Sequence, residues 1–120
     1  MKTKIALGLL FVLDLSVVVS GCSTKPAVYN TFAQCLTDKS AIMYGTDWCS
    51  HCQNQKKAFG GSFELVNYVD CDKEREQCIL AGVEGYPTWK VKQVLYPGEQ
   101  SLGRLAALAG CELVEDTQLE

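Results

Sequence analysis

The chain has 120 residues, with 11 basic and 14 acidic side chains, a formal charge of -3 and 7 cysteines. A chain of this length forms at most one small domain, which excludes a two-domain enzyme. Its mild acidity and lack of a basic stripe argue against nucleic acid as a partner. The high proportion of cysteine favours an oxidising location outside the cytosol.

Residues 1–21 have the pattern of a secretion signal. A positively charged start is followed by a mostly apolar stretch over residues 5–20, and small residues stand immediately before Cys22. This stretch is shorter than the roughly 20 apolar residues of a spanning helix and contains Asp14. We therefore expect a removable signal followed by a short tether over residues 22–29, with a permanent transmembrane anchor as the alternative.

The tetrapeptide that ends at Cys22 resembles the bacterial lipobox, in which cleavage falls before the cysteine and its sulfur receives a diacylglyceryl group. The resemblance implies that Cys22 is the lipidated first residue of a lipoprotein anchored in a membrane outside the cytoplasm, facing the periplasm or the cell surface. An ordinary thiol at Cys22, after a generic signal, is the alternative.

Helical and strand patterns alternate from residue 31 onward. The first half predicts a helix, a buried strand that ends at Gly45, a helix capped by Thr46 or Asp47, and a β-rich run, over residues 31–38, 41–44, 49–59 and 65–69. The second half predicts a helix, two hairpin strands around Lys92 and Gln93, and a final helix capped by Ser101, over residues 74–81, 88–91, 94–96 and 102–109. Strands separated by helices lie parallel, whereas a hairpin is antiparallel, so we expect an α/β fold with a mixed central sheet and helices on both faces. The domain is expected over residues 30–111, followed by an acidic tail over residues 112–120.

The most informative motif is Cys49-Ser50-His51-Cys52, at the point where a strand leads into a helix. This spacing places both sulfurs on one helical turn, and Cys49 lies at the positive end of the helix dipole, which stabilises a thiolate. Cys49 is therefore the predicted nucleophile, and Cys52 is predicted to resolve the mixed disulfide. A protonated His51 would also stabilise the thiolate and favour disulfide donation, whereas Asp47 would oppose it.

Three other interpretations of this motif need weighing. A c-type haem site requires histidine directly after the second cysteine, where this chain has Gln53. Zinc bound by the motif together with Cys71 and Cys78 is disfavoured because the second pair has six intervening residues. A purely structural disulfide is also open, although so tight a loop constrains the unfolded chain little. We expect no metal and no cofactor.

Two motifs in the same order resemble the thioredoxin superfamily: Trp48-Cys49-x-x-Cys52 at the start of a helix, and Gly85-Tyr86-Pro87-Thr88 before a hairpin. Further segments are similar to the thioredoxin-like domain of bacterial vitamin K epoxide reductase (VKOR) homologues, namely residues 32–36, 43–45, 48–57, 85–89 and 109–111. The resemblance implies that this is a free-standing version of that domain. It also implies that the domain exchanges disulfides with a VKOR-like membrane enzyme.

The same resemblance implies roles for three residues near the motif. The Tyr86–Pro87 bond is expected to be cis, with Pro87 beside the cysteine pair and the Tyr86 backbone pairing with a bound substrate, while Trp48 is expected to lie over the active site. An ordinary trans proline and a packing tryptophan are the alternatives. Ser50 stands where close relatives usually have proline. Met43 replaces a buried acid, so proton transfer to Cys52 would need another route, such as water or Glu84.

The four other cysteines allow three pairings. Cys71 and Cys78 flank one short loop, and Cys35 and Cys111 bracket the domain, so these two structural disulfides are favoured. A redox relay by one pair is the alternative. The leading hypothesis is a membrane-tethered thiol-disulfide oxidoreductase that oxidises exported protein thiols and is reoxidised by a VKOR-like partner. A reductase of exported proteins and a non-catalytic binding lipoprotein are the alternatives.

Overall fold

The structure is a computed structural model that describes residues 25–116. The predicted signal, Cys22 and the end of the predicted acidic tail lie outside the described residues. Within them, no helix has the length and hydropathy needed to cross a bilayer.

The described residues form helices and strands in the order expected from the sequence, with one additional 3-10 helix. The elements are α1 (Asn30–Asp38), β1 (Ile42–Gly45), α2 (Ser50–Phe59), the 3-10 helix (Gly60–Leu65), β2 (Tyr68–Asp70), α3 (Arg75–Ala81), β3 (Thr88–Val91), β4 (Val94–Pro97) and α4 (Leu102–Ala109).

The four strands form one sheet in the order β2-β1-β3-β4. β1 lies parallel to β2 and antiparallel to β3, and β3 is antiparallel to β4. The parallel pair requires a crossover connection, which α2 and the 3-10 helix supply. The predicted mixed α/β sheet is therefore confirmed.

Side chains on the two faces of the sheet enter separate apolar clusters, because successive strand residues point in opposite directions. Met43 and its cross-strand neighbour Trp89 belong to the larger cluster, which α1, α2 and α4 cover. Tyr44 and its neighbour Val69 belong to the smaller cluster, to which α3 contributes Cys78. Helices therefore cover both faces, and α2 begins beside the carboxyl end of β1.

The strand predicted over residues 65–69 is wrong at its start, because the 3-10 helix includes Leu65 and β2 begins at Tyr68. Part of the backbone between them bonds to α1, and the Asn67 carbonyl accepts the Met43 N–H of β1 at 2.9 Å. The Thr37 hydroxyl donates to the Leu65 carbonyl at 2.6 Å and accepts from the Asn67 N–H at 3.1 Å. Thr37, which is 28 positions before Leu65, thus satisfies two backbone groups that would otherwise pair with a neighbouring strand.

The hairpin between β3 and β4 forms through the two residues Lys92 and Gln93, whose φ angles are +48° and +68°. A two-residue hairpin turn of this kind needs positive φ at both central positions, which glycine or asparagine adopts most easily. Cross-strand pairing over residues 88–91 holds this turn in place despite its side chains.

Both ends of the described chain hydrogen-bond to the domain. The Gly61 N–H donates to the Pro26 carbonyl at 3.1 Å, and the Tyr29 N–H donates to Ser62 Oγ at 2.8 Å. At the other end, the Asp116 N–H donates to the Val28 carbonyl at 2.7 Å. The packed unit thus includes residues on either side of the predicted range 30–111.

Candidate redox site

Cys49 occupies the position immediately before α2, with an extended backbone (φ -75°, ψ 120°). Its Sγ accepts the Cys52 backbone N–H at 3.4 Å, so the thiol itself caps the helix. The predicted cap by Thr46 or Asp47 is therefore wrong. Thr46 is fully buried, and the Asp47 carboxylate instead pairs with Lys56 Nζ at 3.1 Å.

Cys52 lies one turn further along α2 and is completely buried in the larger apolar cluster. Burial raises the pKa of its thiol to about 11, with hydrogen bonding from Cys49 adding to the effect. The two cysteines thus differ in solvent exposure, because Cys49 stands at the helix start with 9% of its surface exposed, whereas Cys52 has none. At neutral pH, Cys52 is held as the neutral thiol.

The segment before β3 lies against Cys49. The Tyr86 carbonyl oxygen is 3.6 Å from Cys49 Sγ, and the Tyr86–Pro87 peptide bond is cis. Pro87 is buried, and its carbonyl accepts the Gly98 N–H at 2.7 Å, which ties the segment to the end of β4. The structure therefore brings Tyr86 and Pro87 beside the pair Cys49 and Cys52, which lies more than 30 positions earlier in the chain.

Trp48 is 68% exposed beside the nucleophile position. Its indole N–H donates to Asp72 Oδ2 at 2.8 Å, and its ring makes an edge contact with Tyr86 at 6.2 Å between centroids. A groove of about 340 Å³ runs from these two rings to α3 and is lined there by Arg75 and Ile79. Trp48 thus lies at the rim of a groove next to the cysteine pair.

His51 projects from the first turn of α2 and is largely exposed. Its Nδ1 lies 2.9 Å from Oε1 of Glu99, a residue of the loop between β4 and α4. Asn54 Nδ2 donates to the same carboxylate oxygen at 3.2 Å.

Met43, which stands where the resemblance implies a buried acid, packs in the larger apolar cluster. The positive charge that acts on Cys52 comes from Lys56 on α2, and it lowers the pKa of Cys52 without overcoming burial. The Lys56 ammonium also lies 4.1 Å from the centre of the Tyr68 ring. Glu84, considered as a proton route, lies on the exposed loop before Tyr86.

The remaining described cysteines form two disulfides, Cys35–Cys111 and Cys71–Cys78. Because the sulfurs of Cys71 and Cys78 are bonded to each other, neither supplies a thiolate for the four-cysteine zinc site considered above. Both residues of this pair line the groove beside Trp48. Cys49 and Cys52 are the free cysteines of residues 25–116.

Sequence reasoning missed three residues that shape the site, namely Gly45, Gln55 and Glu99. Gln55 Oε1 accepts from the Trp89 indole N–H at 3.0 Å and from the Gln100 N–H at 2.7 Å, although Gln55 is 2% exposed. Its signal was a polar residue on the buried face of α2, three positions after Cys52. Glu99 gave no sequence signal, because its contacts join distant segments.

No family model matches this chain. Over 104 residues it is 36% identical to a protein named thiol-disulfide oxidoreductase LTO1 from Arabidopsis thaliana, and the match covers 79% of this chain and 27% of that relative. It is 30% identical over 99 residues to a protein disulfide-isomerase from Humicola insolens, and 31% identical over 101 residues to one from Aspergillus niger. These matches cover 73% and 69% of this chain and 19% of each relative.

The fold is thioredoxin-like. It has a mixed four-stranded sheet, and the cysteine pair lies at the start of α2, the helix that follows β1. The chain spans about a quarter of the first relative and about a fifth of the two isomerases. Within this thioredoxin-like domain, one cysteine sulfur stands at the start of α2 and the other is buried one turn later.

Proposed function

We propose that this thioredoxin-like domain is a thiol-disulfide oxidoreductase in which Cys49 is the nucleophile and Cys52 the resolving thiol. The unequal placement of the two cysteines carries the proposal. Cys49 Sγ receives the Cys52 N–H at the helix start, whereas the Cys52 thiol is fully buried with its pKa raised to about 11. The Cys49 sulfur stands at the positive end of the helix, where the helix dipole favours negative charge.

In the oxidising direction, a client thiolate attacks Cys49 Sγ of the Cys49–Cys52 disulfide. The bond between the two sulfurs breaks, and Cys52 leaves as a thiolate that takes up a proton. A second client thiolate then attacks the client sulfur of the mixed disulfide and releases Cys49 as a thiolate. The client gains one disulfide, and the domain becomes the dithiol. The reducing direction is the reverse of these steps.

The client polypeptide would bind at the groove that begins at Trp48 and Tyr86. Both rings are exposed within reach of Cys49, and the groove continues to Ile79, which is 65% exposed. An extended client segment could place its cysteine at Cys49 and a neighbouring apolar side chain in this groove. Protein thiols are therefore the proposed substrates.

We assign the domain to disulfide donation to exported proteins, with a VKOR-like membrane enzyme as its oxidant. His51 supports this direction, because a positive charge near Cys49 stabilises the dithiol form and makes the disulfide more oxidising. The lipobox-like Cys22 supports a membrane tether outside the cytoplasm. A tether would keep the domain close to a membrane-embedded oxidant.

Two matched serine variants of the full chain test the chemistry. Cys49→Ser is expected to abolish oxidation of a reduced model peptide. Cys52→Ser, given a disulfide-bonded model peptide, is expected to accumulate the mixed disulfide between Cys49 and that peptide, because no resolving thiol displaces it, and non-reducing electrophoresis detects this product. Retained turnover in Cys49→Ser would refute the proposal. An inert Cys49–Cys52 disulfide in the parent chain would instead indicate a non-catalytic binding protein.

The reduction potential of the Cys49–Cys52 pair tests the direction, with Trp48 fluorescence reporting equilibration against glutathione. A value near the roughly -120 mV of strong oxidants supports disulfide donation, and a value near the roughly -270 mV of thioredoxin supports a reductase. Mass spectrometry of the chain produced in bacteria tests the tether separately. A diacylglyceryl group on Cys22 is expected, and an unmodified Cys22 in the exported chain would contradict the lipid anchor.

A further inference from the structure

Glu99 and His51 are 48 positions apart in the chain, yet their side chains meet at the start of α2. Glu99 Oε1 lies 2.9 Å from His51 Nδ1 and also accepts from Asn54 Nδ2 at 3.2 Å. His51 and Asn54 are three positions apart and share one face of the helix. One carboxylate therefore binds two side chains on the turn that carries the cysteine pair.

The loop that carries Glu99 is held in place by its neighbour Gln100, which is only 9% exposed. The Gln100 N–H donates to Gln55 Oε1 at 2.7 Å, and the Gln100 carbonyl accepts from Gln55 Nε2 at 3.0 Å. The Gln100 side chain also donates to the carbonyls of Pro97 and Gly98. The carboxylate thus projects from an anchored backbone, which lowers the entropic cost of its contact with His51.

The contact with Glu99 determines which ring nitrogen of His51 faces the carboxylate. The ring nitrogen Nδ1 donates its proton to the carboxylate, which leaves Nε2 to carry the second proton when the ring is charged. When the ring is protonated, it forms an ion pair with the carboxylate, and His51 stands two positions from Cys49. Asp47 and Asp72 also lie near the start of α2, where Asp47 pairs with Lys56 Nζ at 3.1 Å and Asp72 accepts the Trp48 indole N–H at 2.8 Å.

We propose that Glu99 is a positioning residue that stabilises the charged form of His51 and thereby makes the Cys49–Cys52 disulfide more oxidising. This inference rests on the proposed exchange function. In the exchange, two glutathione thiols reduce the protein disulfide to the dithiol, and one glutathione disulfide forms. The His51 charge stabilises the Cys49 thiolate of the dithiol product, so it shifts this equilibrium towards reduction of the protein.

Glu99 could act on the cysteine pair through His51 or directly through its own charge. The direction in which the reduction potential changes when this charge is removed distinguishes the two mechanisms. A negative charge acting directly on Cys49 destabilises its thiolate, so removing that charge would make the pair more oxidising. Removing a charge that acts through His51 makes the pair less oxidising. The same substitution therefore gives opposite results under the two mechanisms.

The test measures the equilibrium constant with glutathione in the full chain, for Glu99→Gln, His51→Ala and the double variant. Glu99→Gln keeps an acceptor for Asn54 and removes only the charge. We expect the constant for reduction of the protein disulfide to fall by about 2- to 5-fold, because the pair is exposed. This corresponds to a potential about 10 to 20 mV more negative. In the His51→Ala background, the fall should disappear.

Glu64→Gln is the matched control, since Glu64 is an exposed carboxylate on the 3-10 helix and its substitution changes the net charge equally. It should leave the constant unchanged. Three results for Glu99→Gln would each overturn the inference. The equilibrium constant could fall equally with and without His51, it could rise, or it could stay unchanged. In these cases the parent chain still exchanges with glutathione and Cys49→Ser does not, so the proposed function stands. A parent chain that does not exchange overturns both.

Discussion

Gly45, the last residue of β1, lies directly against the sulfur of Cys52. A β-carbon at Gly45 would be 2.9 Å from Cys52 Sγ and 3.3 Å from the Tyr68 ring. Carbon atoms do not approach this closely without displacement of the neighbouring group, so only glycine allows Cys52 to reach its buried position. The end of the strand therefore shapes the pocket for the resolving thiol.

Gly45→Ala is expected to slow the resolving step. The added methyl group would push the Cys52 sulfur away from its buried position, whereas Cys49 would keep its place at the helix start. Rapid quenching of the reaction with a disulfide peptide should therefore show a mixed disulfide that persists longer, and the free energy of unfolding should fall by about 1 to 3 kcal/mol. Gly103→Ala is the control, because no atom lies within 4 Å of a β-carbon there. Equal effects of the two substitutions would contradict this role.

Gln55→Leu is expected to lower the free energy of unfolding by about 2 to 4 kcal/mol, because it leaves buried groups of Trp89 and Gln100 without hydrogen-bond partners. Urea unfolding followed by fluorescence measures this change. Lys57→Leu, two positions away on the exposed side of α2, should cost less than about 0.5 kcal/mol. Similar costs at the two positions would show that the hydrogen bonds of Gln55 contribute little.

The two disulfides are expected to stabilise the domain unequally. Cys35 and Cys111 are 76 positions apart, whereas Cys71 and Cys78 are 7 apart. Loop-closure entropy then predicts losses of about 4.5 and about 2.5 kcal/mol when each pair is replaced by alanine. Denaturant unfolding of the two double variants tests this order. Thiol exchange at Cys49 should survive both replacements, and loss of exchange in a folded Cys71/Cys78 variant would favour a redox relay.

The dithiol form is expected to lose stability above about pH 9. The pKa of Cys52 is raised by burial from 9.0 to about 11. Between these values the unfolded chain releases a proton that the folded chain retains, so the free energy of unfolding falls by up to about 1.4 kcal/mol per pH unit. Urea unfolding of the reduced parent chain and of Cys52→Ala, from pH 7 to 10, isolates this contribution. A difference between the two proteins that stays constant over this range would contradict it.

Local sequence patterns determined the elements of this domain and the position of its reactive motif. Alternating strand and helix patterns predicted the mixed sheet, and two cysteines at a strand-to-helix transition predicted which sulfur stands at the helix start. These features depend on neighbouring residues, so they can be read from a short stretch of chain. The same local reading failed at the cap of α2 and at Leu65. At the cap, the Cys49 thiol accepts the Cys52 N–H, and at Leu65 the hydroxyl of the distant Thr37 bonds to the backbone.

Only the tertiary structure decided how the reactive pair is surrounded. Contacts between Gly45 and Cys52, Gln55 and Gln100, and His51 and Glu99 join segments that are 7 to 48 positions apart. Each depends on the packing of α2 against the end of β1 and on the path of the loop after β4. These contacts cannot be predicted from the residue types alone. The role of an exposed glutamate or a buried glutamine depends on the group that the fold places beside it.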